Sequence, residues 1–304
     1  MKDKKKPLFY TLLHIRSTDA NKVLAENTNS NLSIYIKCCE ALHNSLKNYG
    51  YNLIVLTNEK EVIEQKSKTL KVQNIDFKLN IPSDIKFYSA HYKIDVFKYL
   101  SEKEGYSILI DCDVVCINNL PLNMKKIIST NTPMCYDITN QRYPAYGREK
   151  LIKDKFTIMK KESIGNWFGG EFISGDSSFF DAIYSLCMKY WDNYRLNYQQ
   201  IQHQGDEMLT SCAIEEYQRQ NNFIFDVGTI GGIERYWSCN TLHYQKSFKS
   251  LNQSFLLHLP ADKKIIAKHA KFITNKFILD YSKYLKVKKA KNNIISFVHK
   301  IKKA

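Results

Sequence analysis

Residues 107–115 read Ser-Ile-Leu-Ile-Asp-Cys-Asp-Val-Val. An apolar run suited to a buried strand ends abruptly in Asp111 and Asp113 and resumes at Val114 and Val115. Carboxylates at i and i+2 can both reach one hard divalent cation where a strand opens into a loop. Burying two acids so close to a core needs a partner, and a metal ion is one. The bland alternative is an acidic surface turn, and the apolar residues on both sides argue against it.

Outward from this stretch, strands and helices alternate. Strands are expected over 9–15, 51–57, 72–77 and 107–113, with helices over 32–46 and 90–100. Near-continuous apolar strands between helices imply a mostly parallel sheet covered on both faces. Ligands of such sheets bind outside the carboxyl ends of the strands, and Asp111 and Asp113 lie at one such end. The second half is less regular. A strand is expected over 133–138, another over 171–174 after Gly169-Gly170, and further ones over 223–227 and 255–259. Asp176 suits the N-cap of a helix through Tyr190, and a second helix is expected over 206–217. Residues 140–163 lack clear periodicity and read as a mobile loop over the site. With no internal repeat or low-complexity linker, the reading is a catalytic domain over 1–280 and a basic C-terminal appendix over 281–304.

Composition narrows the function classes. The chain has 304 residues, 44% apolar and 13% aromatic, which describes a globular protein and excludes a disordered one. No apolar run reaches the eighteen or so residues of a membrane span. The apolar stretch after the basic N-terminus is short and lacks a small-residue cleavage site, so it is read as the first strand of a cytoplasmic protein. None of the eight cysteines forms a CxxC pair, which favours buried free thiols over a zinc ribbon. Residues 240–304 hold fifteen lysines against Asp262 and Asp280, so +13 of the +15 net charge lies there. A nearly neutral body with a basic end is unlike a general nucleic-acid binder and suggests one anionic surface or ligand.

The run from Leu109 to Leu120, with its Asp-x-Asp, resembles the GT-A glycosyltransferases. The resemblance implies an α/β fold of GT-A-like, Rossmann-type layout, with a mostly parallel sheet flanked by helices. It implies a Mn²⁺ or Mg²⁺ ion held by Asp111 and Asp113, with Cys112 between them facing a nucleotide-sugar, a UDP-sugar above all. It continues upstream in Tyr88-Ser-Ala-His-Tyr-Lys-Ile-Asp-Val-Phe, where Lys93 matches a basic residue facing the nucleotide-sugar and Asp95 is its neighbour. Downstream, Phe168-Gly-Gly-Glu-Phe-Ile-Ser-Gly is similar to the glycine-containing strand that lines the donor sugar, which points to Gly169 and Gly170. A glycine pair also lets backbone approach a ligand closely. His203-Gln-Gly-Asp-Glu-Met-Leu places Asp206 and Glu207 at a helix start, where a carboxylate is favoured by the helix dipole. In inverting GT-A enzymes one such acid is the general base. His258-Leu-Pro-Ala-Asp-Lys-Lys is similar to the HxxGxxK pattern of the retaining glycosyltransferase family 8. That match implies His258 as third metal ligand and Lys264 on the diphosphate, although Ala261 replaces the glycine.

The tail is read separately. Val287, Ala290, Ile294, Val298 and Ile301 repeat at helical spacing among Lys283, Lys286, Lys288, Lys289, Lys291, Lys300, Lys302 and Lys303. A basic amphipathic helix suits an anionic bilayer surface. The expectation is therefore a metal-dependent, hexosyltransferase-like enzyme. It moves a sugar from a nucleotide-sugar to a glycan or lipid-linked saccharide in bacterial lipooligosaccharide or capsule synthesis, on the cytoplasmic face of the membrane. Two other classes fit the sequence less well. A sugar-phosphate nucleotidyltransferase should show a Gly-rich loop after its first strand, where this chain reads Arg16-Ser-Thr-Asp-Ala. A non-catalytic membrane or nucleic-acid binding protein leaves the acids at Asp111 and Asp113 unexplained.

Overall fold

The computed structural model describes residues 6–16 and 31–301, with side chains through residue 291. Its large sheet carries strands β1 (Leu8–Leu12), β2 (Leu53–Thr57), β3 (Lys71–Asn74), β4 (Ser107–Ile110), β6 (Met134–Asp137), β7 (Phe168–Gly175) and β8 (Phe225–Asp226). Their order is β3-β2-β1-β4-β7-β6-β8, and only β7 runs against its neighbours. β2, β4 and β7 are buried at every position, as expected of strands covered on both faces. The expected mostly parallel α/β sheet is borne out.

A small sheet, β5-β10-β9, sits beside it: β5 (Val114–Cys116), β10 (Leu256–His258) and β9 (Ile233–Arg235). β10 is antiparallel to β5 and parallel to β9. The chain passes from the large sheet to the small one through Asp111–Asp113, so the acidic triplet is the joint between two sheets.

Helix α1 (Asn31–Lys47) buries Leu32, Ile36, Cys39, Leu42 and Leu46 at helical spacing. α2 (Lys60–Lys66) and α3 (Lys93–Leu100) follow β2 and β3, and α4 (Leu122–Ser129) precedes β6. The segment read as a mobile loop instead forms α5 (Thr139–Tyr146) and α6 (Arg148–Met159). α6 turns Leu151, Asp154, Lys155, Ile158 and Met159 inward. Lys155 is fully buried, 2.5 Å from Glu215 and bonded to the Asn166 and Ser211 carbonyls. Charged residues on the inward face erase the apolar period, which is why the sequence reads as irregular. α7 (Ser177–Asn197) is capped by Asp176, whose carboxylate accepts the Phe179 N–H as expected. It packs against α3 and α8 (Asp206–Arg219).

After the short α9 (Phe248–Leu251) and α10 (Lys263–Lys268), α11 (Thr274–Ile301) runs unbroken through residue 281. Phe277 and Tyr281 are 0% exposed in a second core with Val115, Leu257, Leu259 and Ile266. The buried Asp262 carboxylate accepts from Tyr281 Oη (2.6 Å), Tyr284 Oη (2.9 Å) and Ser238 Oγ (2.6 Å). The helix therefore faces the body with Phe277, Tyr281 and Tyr284, while Val287 and Ala290 of the expected apolar stripe point outward. Ile294, Val298, Ile301, Lys300, Lys302 and Lys303 fall outside the described side chains. No described helix is long and apolar enough to cross a membrane. All eight cysteines are free thiols, and only Cys239 is exposed.

Tyr281→Ala removes a fully buried ring and one hydrogen bond to Asp262. It should lower unfolding stability by about 3–5 kcal/mol in urea titrations. A loss below about 1 kcal/mol would show that the first half of α11 is not part of the folded body.

Candidate active site

Two sheets bring the site together. β4 ends at Ile110, the Asp111 N–H donates to the Glu171 carbonyl of β7 (3.3 Å), and the chain turns so that Val114 N–H reaches the Asp111 carbonyl (3.3 Å). In the small sheet Val114 pairs with His258, and His258 pairs with Arg235. This register lays Asp113, His258 and Arg235 side by side although they are far apart in sequence. One oxygen each of Asp111 and Asp113 and one nitrogen of His258 lie within 4.8 Å of one another.

Lys93, the first residue of α3, is buried. Its ammonium lies 2.7 Å from Asp111 Oδ1, 2.9 Å from Asp206 Oδ2 and 2.8 Å from the Gly170 carbonyl. Burial opposes the charge, yet Asp111 and then Asp206 outweigh it and hold the pKa above the usual lysine range. Asp113 lies 3.1 Å from His258 Nε2 and 2.5 Å from Lys263 Nζ. Burial would raise its pKa, but His258 and Lys263 hold it well below the usual carboxylate range. His258 Nδ1 faces Glu171 Oε1 at 3.3 Å. Arg235 grips Glu171 with two donors, Nε to Oε1 at 2.6 Å and Nη2 to Oε2 at 2.5 Å, and reaches Glu207 Oε1 at 2.6 Å. Glu207 also accepts from Trp167 Nε1 (2.9 Å) and the Gly170 N–H (3.3 Å).

The glycines make room for these charges. A Cβ on Gly170 would lie 2.6 Å from Asp206 Oδ2 and 2.9 Å from Lys93 Nζ, and one on Gly169 would lie 2.2 Å from Glu171 Oε2. The β6–β7 register slips between Cys135 and Tyr136, so the strand bulges beside this pair. The side chains converge on a cleft of about 1070 Å³. His14 and Arg16 from the end of β1, Tyr88 and Trp237 stand on its walls.

No family model and no curated protein matches the chain. Among solved structures it is similar to the WbbM bifunctional glycosyltransferase in its apo form, with TM-score 0.50 and 10% identity. The match covers 84% of this chain and 46% of that one, so the chain spans a little under half of WbbM's length. The chain has the GT-A fold. A second similar structure is apo mouse xyloside xylosyltransferase 1, with TM-score 0.49 and 10% identity, covering 84% of this chain and 98% of that one.

Within this GT-A frame, Asp111, Cys112, Asp113, His258, Lys93, Asp206 and Glu207 all line the cleft. Gly169 and Gly170 lie buried under Glu171, Lys93 and Asp206. Asp95 is not among the lining residues. Its carboxylate accepts the Leu79 N–H at 3.1 Å and ties the preceding loop to α3. Lys264 is exposed and borders an adjoining depression with Ile34, Lys268 and Tyr284, while Lys263 is the lysine that reaches Asp113. Sequence reasoning missed Lys263, Glu171, Arg235 and Arg142. Arg235 lies in a strand of three residues with no visible period. Its one sequence signal is a charged pair, Glu234-Arg235, set between apolar Ile233 and aromatic Tyr236.

Arg235→Met leaves Glu171 and Glu207 without their shared counter-charge. It should cost about 3–5 kcal/mol of unfolding stability, part of which Glu171→Gln restores in the double variant. Wild-type stability in the single variant would mean that the buried pair is already neutralised in another way.

Proposed function

We propose that the protein is a metal-dependent glycosyltransferase that moves a sugar from a nucleotide-sugar to a glycan or lipid-linked saccharide acceptor. The observation that carries this reading is the Asp111–Asp113–His258 group at the edge of a cleft large enough for a nucleotide-sugar, in a GT-A fold. The donor set fits a divalent ion. Two carboxylate oxygens and one imidazole suit Mn²⁺, and the oxygens also suit Mg²⁺. The Nδ1 of His258 lies 3.3 Å from Glu171, and a carboxylate on that side favours the imidazole tautomer that leaves Nε2 free to ligate. Such an ion supplies stabilisation of the charge that develops on a departing diphosphate.

The chain's own residues divide the remaining work. Lys263, beside Asp113, stands where a diphosphate oxygen could share its ammonium. His14 and Arg16 just after β1, with Tyr88 in the turn before α3, offer flat and cationic surface to a nucleoside. Of the two acids opening α8, Asp206 is the better proton acceptor. Burial raises its pKa, with Lys93 only partly opposing, whereas Arg235, outweighing burial, holds Glu207 well below the usual range. A base works best when its pKa approaches the operating pH. Glu207 instead positions Trp167 and Gly170 through its hydrogen bonds.

The outward face of α11 carries Lys276, Leu279, Lys283, Lys286, Val287 and Ala290, all exposed. This supports attachment to an anionic membrane surface that holds a lipid-linked acceptor, as in bacterial surface-glycan synthesis.

Asp113→Asn should lower sugar transfer or nucleotide-sugar hydrolysis by about a thousandfold or more, and chelation with EDTA should do the same. Release of nucleoside diphosphate from a panel of nucleotide-sugars with Mn²⁺ is the measurement. Full activity in EDTA would overturn the reading.

Sedimentation with vesicles rich in anionic lipid should weaken as salt rises from about 0.1 to 1 M, as the Debye length falls from about 10 to 3 Å. Replacing Lys283, Lys286 and Lys289 with Gln should weaken it further at low salt, since each contributes on the order of 1 kcal/mol. Binding unchanged by both treatments would place the attachment elsewhere.

A further inference from the structure

The carboxylates in and beneath the cleft each have a cation, and a buried-side arginine is left over. Asp111 and Asp206 share Lys93, Asp113 has Lys263 and His258, and Glu171 and Glu207 share Arg235. Arg142, which enters the cleft from α5, forms no ion pair among the described residues. Arg16 also lacks one among them, but it is exposed at the rim, stacked on Tyr88.

The surroundings of Arg142 fix its position without an ion pair among the described residues; Glu207 acts on it only through space and is itself paired to Arg235. Its guanidinium carbon lies 4.3 Å from the centre of the Trp167 ring, a cation–π seat. Nη1 donates to His243 Nε2 at 2.6 Å. Arginine can only donate, so Nε2 is the acceptor and His243 carries its proton on Nδ1, which donates to Thr241 Oγ1 at 2.7 Å. Burial, then Arg142 and Arg235, push the His243 pKa down to about 4, so the imidazole stays neutral. Arg142 Nε is buried with no hydrogen-bond partner. An arginine fork has five N–H donors; Nε is shut in, Nη1 gives one to His243, and the other Nη donors have no partner among the described residues. Around it stand Trp237, with its ring 5.4 Å from that of His243, and His203, whose ring lies tilted between Trp167 and Phe87.

Its contacts differ from those of the metal-binding group. Asp113, His258 and Lys263 gather at the joint between the sheets. Arg142 stands with Trp167, which itself donates to Glu207 beside the glycine strand. A planar, pre-oriented fork on an aromatic seat matches a carboxylate or phosphate and offers nothing special to a neutral hydroxyl.

We propose that Arg142 recognises a carboxylate or phosphate on a substrate sugar, so that either the transferred sugar or the accepting one is acidic. This rests on the glycosyltransferase reading and deepens it to a substrate class. Calorimetric titration of the full chain with Mn²⁺ tests both together. UDP, GDP, dTDP and CMP are titrated first. The donor arm then compares the uronic acid and neutral hexose conjugates of the nucleotide that binds, such as UDP-glucuronic acid and UDP-glucose. The acceptor arm, with nucleotide and Mn²⁺ present, compares methyl glucuronide with methyl glucoside, and glucose 6-phosphate with glucose. The charged probe should win by about tenfold or more in one arm. In Arg142→Gln the preference in that arm should fall to about twofold or less, and Arg142→Lys should keep part of it. The preference is a ratio within each variant, so a general loss of folded protein does not imitate the effect. No preference in either arm, or one unchanged by Arg142→Gln, overturns the proposal while leaving the glycosyltransferase reading intact. Failure of all four nucleotides to bind with Mn²⁺ overturns that reading, and the proposal falls with it.

Discussion

The structure depends on gathering acidic side chains from a strand, a strand end and a helix start, and on giving each a cation. Asp111, Asp113, Glu171, Asp206 and Glu207 converge where the two sheets meet, and Glu171 is 0% exposed. Uncompensated, each would either take a proton or cost several kcal/mol in desolvation. Two cations answer four of them: Lys93 bridges Asp111 to Asp206, and Arg235 bridges Glu171 to Glu207. Each bridge joins different elements, so the charges also fix how α3, α8, β7, β9 and the 111–113 turn lie relative to one another. Well-packed apolar groups would stabilise a fold at least as well. Retaining a charged knot at a cleft is the signature of a site that needs carboxylates.

The second constraint is the register of the small sheet. β10 can bring His258 to Asp113 only if it pairs with β5 so that His258 faces Val114. The Leu259 N–H bond to the Asp113 carbonyl (3.1 Å) continues that register past the strand. Beyond it, Asp262 is held by Tyr281, Tyr284 and Ser238, so α11 braces the segment that carries His258 and Lys263. The basic helix is thus coupled to the site at its near end and presents lysines to solvent along its outer face. One element serves as a brace over its first turns and as a charged surface thereafter.

This arrangement explains which parts of the molecule could be read from sequence. Asp111 and Asp113 were legible because an apolar strand ending in two acids violates the ordinary pattern, and such violations mark sites. Gly169 and Gly170 were legible as a need for space, and the space a Cβ would take is filled by Glu171, Asp206 and Lys93. Arg235, and the choice of Lys263 over Lys264 at Asp113, depend on long-range strand pairing and on one residue of phase after β10, and local pattern carries neither. The helices α5 and α6 were hidden for a different reason. Periodicity assumes that inward means apolar, and Lys155 and Asp154 face inward because Glu215 and Tyr146 satisfy them.

The choice of lysine at 93 and arginine at 235 follows from the number and direction of their partners. An ammonium has three donors arranged around a point, and Lys93 has three acceptors around it: Asp111, Asp206 and the Gly170 carbonyl. Each donor thus faces an acceptor in this structure, and Lys93 ties Asp111, Asp206 and the Gly170 backbone together at the cleft. Glu171 instead presents both oxygens from one side, which a planar fork meets with Nε and Nη2, and the same Nη2 also donates to Glu207. A lysine at 235 could not span both acids in that geometry, and an arginine at 93 would be too broad beside Gly170, where even a Cβ meets the ammonium at 2.9 Å. The two positions are therefore fixed in residue type by shape as much as by charge.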